Sequence, residues 1–327
     1  HRELTVDAVR GMLGEIGPWK EMGASFGVFG LRGYTLDIAL PRRGGGKGED
    51  ADIDPFMGVE EAARRRDFTM NAMMRDVLTG ALIDRFGGQA DIQNRVIRHV
   101  DERTFRRDPL RAIRAAQFAA RLEFAIAPET MALCRTLDLG GLARERVMGE
   151  MEKALTRSGQ PSRCFEALRE MGQLEPWLKE VAALIGVKQR ADCHPEGDAW
   201  THTMLVVDEA AKLRDEAKNP AGLMLAALLH DVGKARTKAF RDSHGLPSPT
   251  AHFYGHECAS AYAILFLRFP ACVPEGERLR VSAMAAWHMV PFFFSNEHTR
   301  ARYLRLWGED FLRDMEALDR ADRGGCL

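Results

Sequence analysis

The sequence predicts an α+β unit over residues 1–100 followed by two all-α sets, 101–190 and 191–327. Three observations carry that expectation. Short β-patterned runs punctuated by glycine occur in the first hundred residues. From Asp101 onward the apolar residues recur at spacings of three and four, the period of a helix with one buried face. A polar bridge, "VKQRADCHPEGD", then separates two helical sets.

"LTVDAVRGMLGEIG" has helical periodicity, and Gly17–Pro18 ends it. "SFGVFGLRG" and "YTLDIALP" read as two strands joined at Gly33 in a hairpin. The second strand is apolar but carries one carboxylate, Asp37, at its centre. "GGGKGED" at 44–50 cannot hold regular structure and is expected to be a loop, whereas "TGALIDRFGG" and "RVIRHV" read as short strand-and-turn segments. "DPLRAIRAAQFAARL", "APETMALCRTL", "ARERVMGEMEKALT", "PSRCFEALREMG" and "LEPWLKEVAALIG" are the first helical set, to about residue 187. The second starts at Trp200 and includes "LMLAALLHDVGK".

The 327 residues allow two or three domains, and 46% hydrophobic with 28% charged content is ordinary for a globular protein. A net charge of −1 hides a local excess of arginine: Arg64–Arg66, then Arg103, Arg106, Arg107, Arg111 and Arg114. The field that matters to a nucleotide is local, so a neutral total excludes no anionic partner. The cysteines at 134, 164, 193, 258, 272 and 326 form no CxxC pair, which argues against a disulfide framework and fits a cytoplasmic protein. No apolar run is long enough to span a membrane, and no obligate protein partner is evident.

Several stretches can bear chemistry. In "RRRDFTMNAMMRD" an arginine fork beside an acid suits phosphate and ribose oxygens, and equally a solvated helix face. In "RRDPLRAIRAAQFAARL", Asp108, Arg111 and Arg114 are spaced to share one helical face. Side by side they offer an acceptor and donors to the edge of a nucleobase, though simple helical salt bridges would use the same spacing. In "LLHDVGKARTK", His230 and Asp231 are adjacent at the end of an apolar helix and can both reach one metal. His202 precedes them, and His256, His288 and Asp322 follow. Imidazoles with carboxylates fit Mg, Mn, Ni or Fe better than a thiolate-seeking ion. Lys234 can assist with a phosphate, and His194, His244, His252 and His298 are expected to be solvated or supporting.

The run "RRDFTMNAM…LTGALIDRFGGQADIQNRVIRHV…RDPLRAIRAAQFAARLEFAIAPET" resembles the bacterial tRNA nucleotidyltransferase/poly(A) polymerase family, which includes the CCA-adding enzymes; the likeness extends over residues 25–185. It implies a partial, palm-like nucleotidyltransferase head at 1–100, a helical neck and body at 101–190, and an HD domain at 191–327. By this resemblance Arg66 and Asp67 face the ribose and triphosphate. Asp108 and Arg111 read the incoming CTP or ATP base, with Arg114 a further contact. Arg146, Glu150 and Lys153 stabilise a helix. Asp37 matches the third carboxylate of a Mg2+-dependent site. The Gly-Gly loop and the DxD strand that supply the other two acids should precede residue 1. One departure is Arg107, where the family usually has Glu.

The order H…HD…H…H…D is similar to that of the HD phosphohydrolase superfamily, and "CHPEGDAWTHT" resembles the lead-in to that domain in longer CCA-adding enzymes. The combined expectation is addition or repair of the tRNA 3′-terminal CCA from CTP and ATP, with a linked 2′,3′-cyclic phosphodiesterase or phosphatase activity. A poly(A) polymerase of the same family, or an HD hydrolase or tRNA-binding protein without polymerase activity, are the alternatives.

Overall fold

The computed structural model describes residues 5–21, 28–41, 54, 56–192, 194–267, 273–294 and 296–326. They form two compact units, His1–Asn94 with Arg98–Asp108, and Arg95–Ile97 with Pro109–Leu327. The expected loop at 44–50 and the start of the first strand run lie outside the described residues.

In the first unit, the helix Val6–Ile16 starts where Thr5 Oγ1 accepts the Ala8 N–H at 3.2 Å, and stops at Gly17. An antiparallel meander follows: Trp19–Glu21, Val28–Leu31 and Asp37–Ala39 pair in chain order. The expected hairpin is present, and its Gly33 has φ +85°, a left-handed turn position that suits glycine. Val9, Leu13, Phe29 and Leu31 form the small core, with Ile38 and Leu40 against it. Asp37 belongs to the opposite, exposed side of that strand, paired in register with Gly30. Among the described residues its strand is the edge of the sheet. Farther along, buried Asp91 takes the Thr69 hydroxyl at 2.7 Å and ion-pairs with Arg98 at 3.2 Å.

In the second unit, the helix Leu110–Leu122 buries an alanine stripe (Ala112, Ala115, Ala116, Ala119, Ala120) against the helices Arg144–Arg157 and Ser162–Glu170. Pro109 caps it, so Asp108 stands ahead of the helix instead of on its face, and only Arg111 and Arg114 lie on it. Glu150, 5% exposed, receives Arg114 at 3.4 Å and Lys153 at 2.9 Å. That pairing matches the structural role expected of Glu150 and Lys153.

The helix Ala199–Leu213 is tied to the body through Asp208, which accepts the Ser162 N–H at 2.9 Å and its hydroxyl at 2.6 Å. Trp200, almost fully buried, donates its indole N–H to Glu166 at 2.6 Å. The helix Pro220–Leu229 is apolar on every side and is correspondingly buried. Around it pack Ala199–Leu213, Glu275–Trp287 and Glu309–Gly324. Fully buried Asp314 braces this set, accepting the Lys218 N–H at 2.7 Å and pairing with Arg280. The segment expected to be entirely helical also carries one antiparallel hairpin, Ala239–Arg241 with Pro247–His252. Its turn closes through Asp242 and Gly245, the latter at φ +80°.

Gly233 sets a close approach beside the central helix. A Cβ there would stand 2.2 Å from the His256 carbonyl oxygen and 2.7 Å from the Ser260 nitrogen, both backbone atoms. Gly233→Ala should therefore destabilise this unit by about 1–3 kcal/mol through overpacking. Differential scanning calorimetry would show a melting temperature lowered by several degrees; an unchanged transition would contradict the packing argument.

Candidate functional site

The apolar helix Pro220–Leu229 delivers His230 and Asp231 at its C-terminal end, both essentially without solvent exposure. The other members also come from helix ends. His202 lies in the first turn of Ala199–Leu213, His256 opens His256–Phe266, His288 caps Glu275–Trp287, and Asp322 is in the last turns of Glu309–Gly324. All six expected metal-ligating residues meet here.

Asp231 is the centre. Its Oδ2 is 3.3 Å from His230 Nε2 and 3.8 Å from His202 Nε2; its Oδ1 is 3.3 Å from His256 Nε2 and 3.9 Å from His288 Nε2. Asp322 Oδ1 accepts from His202 Nε2 at 2.8 Å and lies 3.6 Å from His230 Nε2. Two sets thus share Asp231: His202 with His230, and His256 with His288. Lys234, also buried, brings its Nζ to 2.6 Å from Asp231 Oδ2 and donates to Gln189 at 2.7 Å.

Three of the imidazoles are held by their other nitrogen. His230 Nδ1 is 2.9 Å from the Ala227 carbonyl, His256 Nδ1 2.8 Å from Phe253 and His288 Nδ1 2.7 Å from Ala285. A carbonyl oxygen can only accept, so each Nδ1 carries the proton and each Nε2 is left to face Asp231. His202 differs: Glu196 Oε1 lies 2.9 Å from its Nδ1, within ion-pair distance and on a side chain with no solvent exposure, but Nδ1 makes no hydrogen bond among the described residues. Carboxylates behind ligating imidazoles commonly orient them.

Asp231 Oδ1, His230 Nε2 and His202 Nδ1 are buried without a hydrogen-bond partner among the described residues, and Asp231 Oδ2 has the Lys234 ion pair but no hydrogen bond of good geometry. Such groups are destabilising unless something fills the space between them. A divalent cation bound by nitrogen and oxygen ligands fits, and the cluster can hold one or, with Asp231 bridging, two.

The electrostatics agree. Burial opposes charge on His202, yet its hydrogen bond to Asp322 and the charge of Asp231 outweigh it and lift the imidazole to about 10. Against the same burial, Asp231 and Asp322 lift His230 to about 9. His288, buried and beside His230, is pushed down to about 4. Asp231 and Asp322 stay ionised well below the usual carboxylate range despite burial, the first through Lys234 and His230, the second through His202 and His230.

The remaining histidines have other settings. His194 is partly buried with Nδ1 2.8 Å from Glu196, while His252 stacks on Tyr254. His244 and His298 are exposed. Among the residues expected to face nucleotide, Asp37 and Arg66 are exposed, and Arg111 and Arg114 are partly buried. Asp67 is buried and accepts from the Phe68 N–H at 2.8 Å and Asn71 at 3.0 Å. Glu196 and Gln189 were not expected at the site; the only signal for Glu196 is its place in "CHPEGD", six residues ahead of His202.

Comparison with known proteins agrees with this order of parts. Residues 36–98 match the poly(A) polymerase head domain, 123–185 the probable RNA- and SrmB-binding site of polymerase A, and 199–323 the HD domain. The three matches follow one another in this chain and together take in most of it. It is 42% identical over 253 residues to a multifunctional CCA protein of Aromatoleum aromaticum, covering 74% of this chain and 58% of that one. With a namesake from Chromobacterium violaceum it shares 48% over 230 residues, covering 68% and 55%. The chain thus spans little more than half the length of these relatives. Among solved structures, a tRNA-processing enzyme complex superposes with a TM-score of 0.60 at 21% identity, covering 95% of this chain and 76% of that one. A tRNA nucleotidyltransferase complexed with a primer tRNA and an ATP analogue gives 0.54 at 20%, covering 92% and 88%. At those identities the likeness shows the fold.

Two outcomes follow. In the metal-free protein the Nε2 protons of His202 and His230 persist to about 10 and about 9, so a divalent ion must displace them. Its affinity should rise with pH across neutrality, and calorimetry in buffers of different ionisation enthalpy should register proton release. An affinity flat between pH 6 and 9 would contradict the cluster as a cation site. Glu196→Gln should weaken the same binding about 10–100-fold, because the amide orients His202 less strongly; affinity equal to that of the parent would show that Glu196 does not hold the ring.

Proposed function

We propose that the protein adds or repairs the 3′-terminal CCA of tRNA from CTP and ATP, and that its HD site hydrolyses 2′,3′-cyclic or terminal phosphates of RNA ends or nucleotides. The observation that carries this reading is the succession of head, RNA-binding and HD segments in one chain. The HD segment favours CCA addition over poly(A) synthesis.

On this reading Asp37 is a carboxylate of the head's Mg2+ site, and Arg66 and Asp67 face triphosphate and ribose. Asp108 and Arg111 present acceptor and donors to the base edge, with Arg114 nearby. A protein edge satisfied by C and A needs no nucleic-acid template, since G and U would leave its donors and acceptors unpaired.

In the HD site, His202, His230, Asp231 and Asp322 would hold a divalent ion, and His256 and His288 with Asp231 would hold a second. The nitrogen and oxygen donors suit Mg, Mn, Ni or Fe. Such an ion acidifies bound water and draws charge from a phosphate. The protein's own part is to hold the rings through Nδ1, to exclude solvent from Asp231, and to keep the Lys234 cation beside it. Hydrolysis of a cyclic ester forms one P–O bond to the water oxygen and breaks one P–O bond to the ribose, whose freed oxygen takes a proton.

The test is direct. Full-length protein should incorporate both CTP and ATP onto tRNA lacking CCA; incorporation of neither would sink the polymerase reading, and long runs of ATP alone would favour a poly(A) polymerase. His230→Ala or Asp231→Ala should abolish metal-dependent hydrolysis of 2′,3′-cyclic nucleotides, and parental rates in either variant would refute the HD assignment.

A further inference from the structure

Four of the six cluster residues, Asp231, His256, His288 and Asp322, also line a larger cavity. The cavity measures about 960 Å³, and Asp231, Lys234, His256, His288 and Asp322 line its floor. The other arm is aromatic and apolar: Phe253, Tyr254, Trp287, Met289, Phe292 and Phe293. A volume of this order suits a ligand the size of a nucleotide, far larger than a phosphate group alone.

The aromatic arm is attached to the metal-facing end by short lengths of chain. Trp287 immediately precedes His288, and Phe292 and Phe293 follow it in the one-turn segment Pro291–Phe293. Tyr254 is two residues ahead of His256. The rings are nonetheless left open, with Phe292 and Phe293 each 62% exposed, Tyr254 55% and Trp287 40%. A cluster of large exposed rings on the wall of a cavity, continuous with a polar floor, has the character of a ligand surface. The rim adds charge: the Arg323 guanidinium lies 4.9 Å from the Phe292 ring centre, and Arg190 also lines the cavity. Arg323 is paired with Asp319 at 3.0 Å, and Arg190 with Asp192, so the rim stays close to neutral.

An occupant must therefore join an anionic group for the floor to a flat, largely apolar group for the arm. We propose that the arm seats the nucleobase of the nucleotide whose phosphate reaches the HD cluster, and that it does so by stacking, without distinguishing the four bases. The proposal rests on the HD site acting on nucleotide phosphates. Stacking on an aromatic platform is tolerant of base identity because every base has a π-face, and the polar groups beside the rings are already engaged within the chain: the Tyr254 hydroxyl with His252 Nδ1 at 3.1 Å, Glu257 with His256 and Arg323 with Asp319. The arm makes the site selective for nucleotides over small phosphate esters.

The test compares the four nucleoside 2′,3′-cyclic phosphates with methyl ribofuranoside 2,3-cyclic phosphate, which lacks a base, using Mn2+-loaded protein. The parent should prefer every nucleoside substrate by at least tenfold in kcat/KM, with the four bases within about threefold of one another. In the Phe292→Ala/Phe293→Ala double variant that preference should collapse toward one, with the loss in KM; stacking contributes about 1–3 kcal/mol per base, and 1.4 kcal/mol is tenfold. Equal rates on the base-free ester in the parent, a preference for one base beyond tenfold, or an unchanged ratio in the variant would each overturn the proposal. Binding of nucleoside 3′-monophosphates, followed by Trp287 fluorescence, separates the two readings. If no ester is hydrolysed yet nucleotides bind the parent at least tenfold more tightly than the variant, the stacking arm stands and the hydrolase assignment falls. If neither hydrolysis nor variant-sensitive binding occurs, both fall.

Discussion

The HD segment is organised around the placement of one carboxylate, that of Asp231, at the end of a helix with no polar face. An ionised group taken out of water is tolerated only where opposite charge and ligands surround it. Here four imidazoles and the Lys234 ammonium lie 2.6–3.9 Å from its oxygens. The apolar helix Pro220–Leu229 can be buried on all sides because its one costly polar end is handed to this cluster. Gly233 lets the backbone of His256–Phe266 come close enough to add His256, and Asp314 fixes the entry to the central helix by accepting the Lys218 N–H.

Building the cluster from helix ends has a consequence for protonation. Near a helix C-terminus the last carbonyls lack intrahelical partners. His230 and His288 use one of these, at Ala227 and Ala285, to fix Nδ1–H. The same bond that completes the helix end thereby orients the ring. His256, at the start of its helix, reaches back to the Phe253 carbonyl, while His202, also in a first turn, has Glu196 from the preceding loop 2.9 Å from its Nδ1.

This also explains what was legible in the sequence. The histidines and Asp322 could be picked out because His230 and Asp231 are adjacent at the end of an apolar run and because the order H…HD…H…H…D resembles that of the HD superfamily. Glu196 could not, since its role comes from a contact that exists only once the loop is folded over His202. The hairpin Ala239–His252 was hidden by its polar, proline-containing second strand, "PSPTAH", which lacks the alternation of a half-buried strand. Asp108 was placed on a helical face by counting residues, but Pro109 caps the helix after it. Asp37 was read at the centre of an apolar strand, yet the strand begins at Asp37; Tyr34 and Leu36 ahead of it are 65% and 55% exposed, and Ile38 and Leu40 after it pack against the core. Composition alone cannot say which side of a short edge strand meets the core.

The contrast between Asp37 and Asp231 separates two ways of handling a cation. A carboxylate on the open side of a strand keeps its hydration and holds Mg2+ weakly by itself. Mg2+ is reluctant to dehydrate and is commonly bound through one or two carboxylates together with substrate phosphates. Asp37 suits an ion that arrives and leaves with a nucleotide. Asp231 is the opposite case: without solvent, its negative charge must be met by fixed ligands, and imidazoles held through Nδ1 are poised to share an ion with it. Asp231 is enclosed by groups of this chain, as Asp37 on its exposed strand face is not. The same distinction accounts for the difference in architecture, a thin three-stranded sheet with an exposed face in one unit and a helix buried on every side in the other.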